Sequence, residues 1–124
     1  MGKSHRATVG DSSLQIIRVV GPVLAALRKR DDALTEQLVR ALTDLAVNTG
    51  RLEGADPREL HALALSALAS ANESHALLRL AVDWHYCPWP TVKPVWDALA
   101  ATGELLLGLA RPRRRRERRL KKAA

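Results

Sequence analysis

The chain is predicted to be an all-α protein, an antiparallel up-down-up-down four-helix bundle with a disordered basic C-terminal tail. Two observations carry that expectation. Apolar residues make up 47% of the 124 positions, yet aromatics are only 3%, with three Trp, one Tyr and no Phe. Leu and Ala therefore supply the core, and both favour helix, whereas strands draw on β-branched and aromatic residues. The second observation is periodicity. Apolar residues recur at three- and four-residue spacing through four long segments separated by short Asp, Gly and Pro punctuation.

Residues 1–11 are read as a flexible arm, 12–111 as the bundle and 112–124 as the tail. Asp11, Ser12 and Ser13 offer cap oxygens for a first helix. Leu14, Ile17, Val20, Leu24 and Leu27 form its expected core face, and Pro22 predicts a kink near Gly21. Asp31 and Asp32 start a second helix with the stripe Leu34, Leu38, Leu42 and Leu45, ended by Gly50 or Gly54. Asp56-Pro57 restarts the chain, because proline is pre-set for the first helical position. The third helix places Leu60, Leu63, Ala67, Ala71, Leu78 and Ala81 on one face. Pro88-Trp89-Pro90 breaks it. A fourth helix begins near Thr91 with Pro94 in its first turn, and Val92, Val95, Trp96, Leu99, Gly103, Leu106 and Ala110 on one side. Trp84, Trp89 and Trp96 are expected to close one end of the core.

Charge is distributed unevenly. Arg111 to Lys122 holds seven Arg, two Lys and one Glu, a net +8, and the rest of the chain sums to −1. A neutral body with a cationic tail directs any polyanion to Arg111, Arg113, Arg114, Arg115, Arg116, Arg118, Arg119, Lys121 and Lys122. Guanidinium groups pair bidentately with phosphate, and neutralised phosphates release counterions. No aromatic interrupts the run, so the tail offers backbone contact without base stacking. The same run would serve solubility or an acidic protein partner. Arg28, Lys29, Arg30 and Arg40 are candidates to extend the basic patch, or else ordinary solvated helix-end residues.

Other features exclude function classes. One cysteine, Cys87, leaves no intramolecular disulfide framework and no Cys-based zinc cluster. The first fifteen residues lack the apolar region of a signal peptide, and Leu105 to Ala110 is far too short to span a bilayer. A cytoplasmic location without membrane association is the expectation. Asp83, His85 and Cys87 match no standard zinc spacing. No phosphate-binding Gly-rich loop or nucleophile motif is present, and no cofactor is implied.

Small residues dominate the third helix at Ala62, Ala64, Ser66, Ala67, Ala69, Ser70 and Ala71, and β-branched Ile16, Ile17, Val19 and Val20 crowd the first. Helices apolar around most of their circumference are buried on more than one side, which points to self-association. Asn72, Glu73, Ser74 and His75 form a polar island, read as an exposed stripe or as a buried Glu paired with Arg40 or Arg79.

Leu34-Thr-Glu-Gln-Leu-Val-Arg-Ala-Leu with Asn48-Thr-Gly-Arg-Leu-Glu-Gly54 resembles the second helix of the four-helix-bundle proteins encoded in 23S rRNA intervening sequences. Ala67 to Val82 is similar to their third helix. Thr102 to Arg111, with Gly103, Leu106 and Gly108, and the proline at 22 look more like the accessory variability determinant branch, which serves diversity-generating retroelements. The resemblance covers roughly residues 14–111. It implies a homopentamer of bundles and, in that branch, binding to a reverse transcriptase and its RNA. The expected function is thus a non-enzymatic accessory protein that binds nucleic acid, RNA ahead of DNA. Two alternatives stand beside it. Arg79 and His85 loosely resemble the Arg-x4–6-His motif of HEPN ribonucleases, with Arg79 on phosphate and His85 as acid/base. A pure assembly scaffold is the other.

Overall fold

The computed structural model describes residues 5–111, with side chains from Val9 onward. Five helices are present among the described residues: α1 (His5–Val19), α2 (Gly21–Arg28), α3 (Asp32–Leu52), α4 (Pro57–Asp83) and α5 (Trp89–Ala110), with no strand. They pack around one shared core. α4 lies between α3 and α5, and α1 contacts both α3 and α5.

α1 and α2 are one kinked helix. Val20 keeps right-handed helical angles (φ −81°, ψ −18°), and Leu24 N–H still donates to its carbonyl at 3.1 Å. Pro22 lacks the N–H that would bond the carbonyl four residues back, so the ladder breaks at the expected place.

The start of α1 is a correction. Asp11, Ser12 and Ser13 lie inside the helix, and the segment expected to be an arm is helical from His5. Val9 explains the extension, since it is completely buried. Burying a Val side chain contributes roughly 1.5–3 kcal/mol, against about 1 kcal/mol for a polar cap.

The face of α1 is corrected too. Val9, Ser13, Ile16, Val20, Val23 and Leu27 form the buried stripe, while Leu14 and Ile17 are 52% and 53% exposed. The Leu14 series is interrupted by Gly21. The Ile16 series runs unbroken through the kink and wins the core.

α3 begins as expected. Asp31 is its N-cap, and the carboxylate accepts the Leu34 N–H at 2.9 Å. Leu34, Leu38, Ala41, Leu45 and Leu52 face inward. The helix runs through Gly50, and the chain turns only at Glu53 and Gly54. α4 is capped by Asp56, which accepts from the N–H groups of Arg58 and Glu59 at 2.8 and 3.0 Å, with Pro57 opening the helix.

Inside the molecule, α4 offers mostly small residues: Ala64, Ala67, Ser70, Ala71 and Ser74 are buried. The two serines stay satisfied by donating to carbonyls four residues back, Ser70 to Ser66 and Ser74 to Ser70. Small buried side chains let α3 and α5 approach closely. Ala62, Ser66 and Ala69 face outward. The polar island is split: Asn72 and Glu73 are exposed, Ser74 is buried and His75 is half-buried, and Arg79 pairs with Asp83 at 3.8 Å rather than with Glu73.

α4 closes with a Schellman-type turn. Tyr86 N–H donates to the Ala81 carbonyl at 2.9 Å, and His85 sits at φ 61°. That left-handed position favours glycine. His85→Gly is therefore expected to stabilise the protein by about 1 kcal/mol, relief of steric strain outweighing the added freedom of the unfolded chain. A thermal melt that shows no gain would reject this account of the turn.

α5 begins at Trp89, two residues before the expected Thr91, so Pro94 falls inside the helix rather than in its first turn. Val92, Val95, Leu99, Thr102, Leu106 and Ala110 are buried. α1 and α5 are joined at mid-length. Thr102 donates its hydroxyl proton to the Ala98 carbonyl at 2.8 Å, so at the 2.6 Å contact with Ser12 it is Ser12 that donates.

Candidate nucleic-acid interface

Arg111 is exposed just past the last residue of α5, and Arg113, Arg114, Arg115, Arg116, Arg118, Arg119, Lys121 and Lys122 lie outside the described residues. Arg28 ends α2, and Lys29 and Arg30 form the turn into α3; all three are exposed. Among the described residues no carboxylate forms an ion pair with any of them. Arg28 and Arg40 share an open hollow with Asp32 and Glu36, so that face has mixed charge.

The two basic groups are not contiguous. The Cys87 thiol lies 3.8 Å from the Val23 carbonyl, which seats the Arg28–Arg30 turn at the end of the molecule where α5 begins. Arg111 is at the other end of α5, about 33 Å away for 22 residues at 1.5 Å each. Arg28, Lys29 and Arg30 therefore do not extend the patch that Arg111 begins. Sequence distance along a kinked helix hides this separation.

What that near end gathers instead is aromatic. Trp84 and Trp89 are 52% and 43% exposed, which corrects the expectation that the tryptophans close the core. The buried place at that end is taken by Cys87, and the left-handed turn at His85 leaves Trp84 outside. The rings are held in fixed orientations. Trp96 packs on His75 with centroids 4.4 Å apart, and His75 Nε2 lies 3.2 Å from the Trp96 carbonyl oxygen. Trp89 meets Trp96 edge-on at 5.7 Å, and Trp84 meets Tyr86 edge-on at 5.9 Å. Sequence reasoning placed the three tryptophans at one end but missed the exposure of Trp84 and Trp89. Its signal was the run Trp84 to Trp89, four aromatic or imidazole rings in six residues at a turn, where few can be buried.

Of the HEPN-like pair, Arg79 lies on α4 and His85 in the turn that follows it. Arg79 is engaged with Asp83 and lines a hollow with Val82, Trp89 and Trp96. His85 lines a neighbouring one with Cys87 and Pro88. Among the described residues, no three His, Cys, Asp or Glu side chains gather as a metal site. No helix of the described residues is long and apolar enough to cross a membrane.

Cys87 is a core residue. Burial pushes its thiol pKa above the ordinary value. The unfolded chain then loses its thiol proton first as pH rises, so stability is full below about pH 8.5 and falls above it by up to about 1.4 kcal/mol per pH unit. Urea midpoints between pH 8 and 10 for the wild type and Cys87→Ala are expected to diverge in slope. Parallel slopes would reject the buried-thiol account.

No protein-family model matches the chain, and neither curated proteins nor solved structures yield a match.

Proposed function

We propose that the protein is a non-enzymatic, self-associating accessory factor that binds RNA through its cationic C-terminal residues. The observation that carries this reading is charge placement. Nine basic residues fall within Arg111–Lys122, on a body that is otherwise near neutral. Arg111, the one described member, is exposed at the end of α5 rather than folded onto the core.

The reading takes the helices as an up-down-up-down bundle, with α1 and α2 counted as one. Turns at 29–31, 53–56 and 84–88 are too short to do more than reverse direction between neighbours. The pairs Ser12–Thr102 and Val23–Cys87 run in opposite order along α1–α2 and α5, as antiparallel helices require.

Self-association is supported by apolar side chains on outer surfaces. Leu14, Ile17, Ala46 and Gly50 line a groove between α1 and α3, and Val47 on α3 and Leu65 on α4 are 48% and 46% exposed. The oligomer number, five, and a reverse transcriptase as partner rest on the family resemblance. In a ring, several tails would engage one strand with the gain of multivalency.

The test is binding of labelled RNA against salt by the full chain and by a chain ending at Arg111, with mass in solution measured beside it. Steep salt dependence that disappears on truncation supports the reading. Equal binding by both chains, or a monomeric mass, would overturn the tail or the assembly part respectively.

A further inference from the structure

The tail reads only phosphate, but the aromatic end of the molecule has the chemistry the tail lacks. We propose that the exposed indoles of Trp84 and Trp89, at the same end of the molecule as the Arg28-Lys29-Arg30 turn, form a stacking platform for the bases of single-stranded RNA. This rests on the reading of the chain as an RNA-binding protein and adds to it a second contact of different chemistry.

Three observations converge. First, two of the three tryptophans are close to half exposed, although burying an indole is among the largest apolar gains a small core can make. Second, their faces are presented in fixed orientations. Trp89 is braced edge-on by Trp96, which is itself held by His75, and Trp84 is braced edge-on by Tyr86. A ring already held in place loses little freedom when a base stacks on it. Third, cations suited to phosphate lie at the same end of the molecule as the rings. Arg28, Lys29 and Arg30 form no ion pair among the described residues, and the 3.8 Å contact between Cys87 and Val23 seats them at the same end.

The hollow beside Trp89 and Trp96 encloses about 240 Å³ and is lined also by Arg79, Val82 and Asp83. That is below the range of a small-molecule site, about 300–1,000 Å³, and the hollow is open on one side. A single planar base resting on the ring fits such a shape better than an enclosed ligand does. Arg79 and Lys93 pair with Asp83 and Asp97, whereas the cations of the 28–30 turn have no ion pair among the described residues. Proteins that hold single strands without sequence preference combine these two elements, a cationic track and successive aromatic faces.

All three tryptophans of the chain belong to this cluster, so intrinsic tryptophan emission reports on this end alone. The experiment titrates the full chain with a short fluorescein-labelled oligouridine, following anisotropy for total binding and tryptophan emission for stacking. Trp84→Leu and Trp89→Leu are measured in parallel, with far-UV helicity confirming the fold and mass confirming assembly. Binding is expected to quench the emission, and each substitution to weaken affinity about tenfold. RNA that binds by anisotropy, leaves emission unchanged and binds both variants equally overturns the platform while the tail reading stands. Quenching that persists at undiminished affinity in the chain ending at Arg111 supports the platform and overturns the tail as the main contact. Variants that lose oligomer mass, with no quenching in the wild type, assign the rings to a contact between copies and overturn the proposal. Absence of binding by either signal overturns both readings.

Discussion

Leu78→Ala is expected to cost about 3–5 kcal/mol of folding stability, the upper part of the range for a buried leucine. Leu78 is completely buried on α4, the helix packed between α3 and α5. One to two turns away on its own stripe of α4 stand Ser74, Ala71 and Ala81, too short to reach into the space left behind. The flanking helices are 21 and 22 residues long and cannot close the gap locally. A typical domain holds only about 5–15 kcal/mol in total, so the variant loses a large share of it. For a chain of this size each kcal/mol moves Tm by roughly 4–8 °C. Leu107→Ala is the matched control, because Leu107 is 53% exposed. Its cost is expected to stay within about 0.5 kcal/mol in the dissociated protein. Similar losses for the two variants would mean that the packing around α4 is wrongly described.

Removing the residues after Arg111 is expected to produce the largest change in RNA affinity. That segment carries eight cations and one carboxylate. If about six of the cations engage single-stranded phosphates, log affinity falls with log salt at a slope near −4. Affinity of the full chain then drops about 300-fold between 50 and 200 mM salt. The truncated chain keeps Arg111 and the Arg28–Arg30 turn, and its slope should fall to about −1 to −2. At low salt the truncation should weaken binding by about a hundredfold or more. A slope unchanged by truncation would mean that the phosphates are held elsewhere on the molecule.

Helix boundaries were legible in the sequence wherever local chemistry and burial agreed. Asp31 and Asp56-Pro57 are caps in both sequence and structure, because nothing apolar competes for those positions. Pro22 marks the kink because a missing donor has the same effect in any surroundings. The start of α1 was not legible, because Val9 stands alone among small and polar residues and only tertiary packing rewards its burial. Which of two adjacent stripes on α1 faces inward was equally ambiguous, since Leu14 and Ile16 are both apolar. At the candidate site, residue types were legible and their arrangement was not. The basic residues were identifiable one by one, but the separation of Arg28 from Arg111 depends on the direction of α5. The exposure of Trp84 goes with one left-handed residue, His85, that residue type does not announce.

The hydrogen bond between Ser12 and Thr102 ties together residues 90 positions apart. While the chain is being made, α3 and α4 are synthesised before α5 and can pair first as a hairpin. α1 can meet α3 early, but its side toward α5 is covered only once α5 has followed α4, and until then the Val9–Leu27 stripe stays uncovered on that side. Chaperone capture, or premature pairing with another nascent copy on the same message, would act on that interval rather than on the finished molecule.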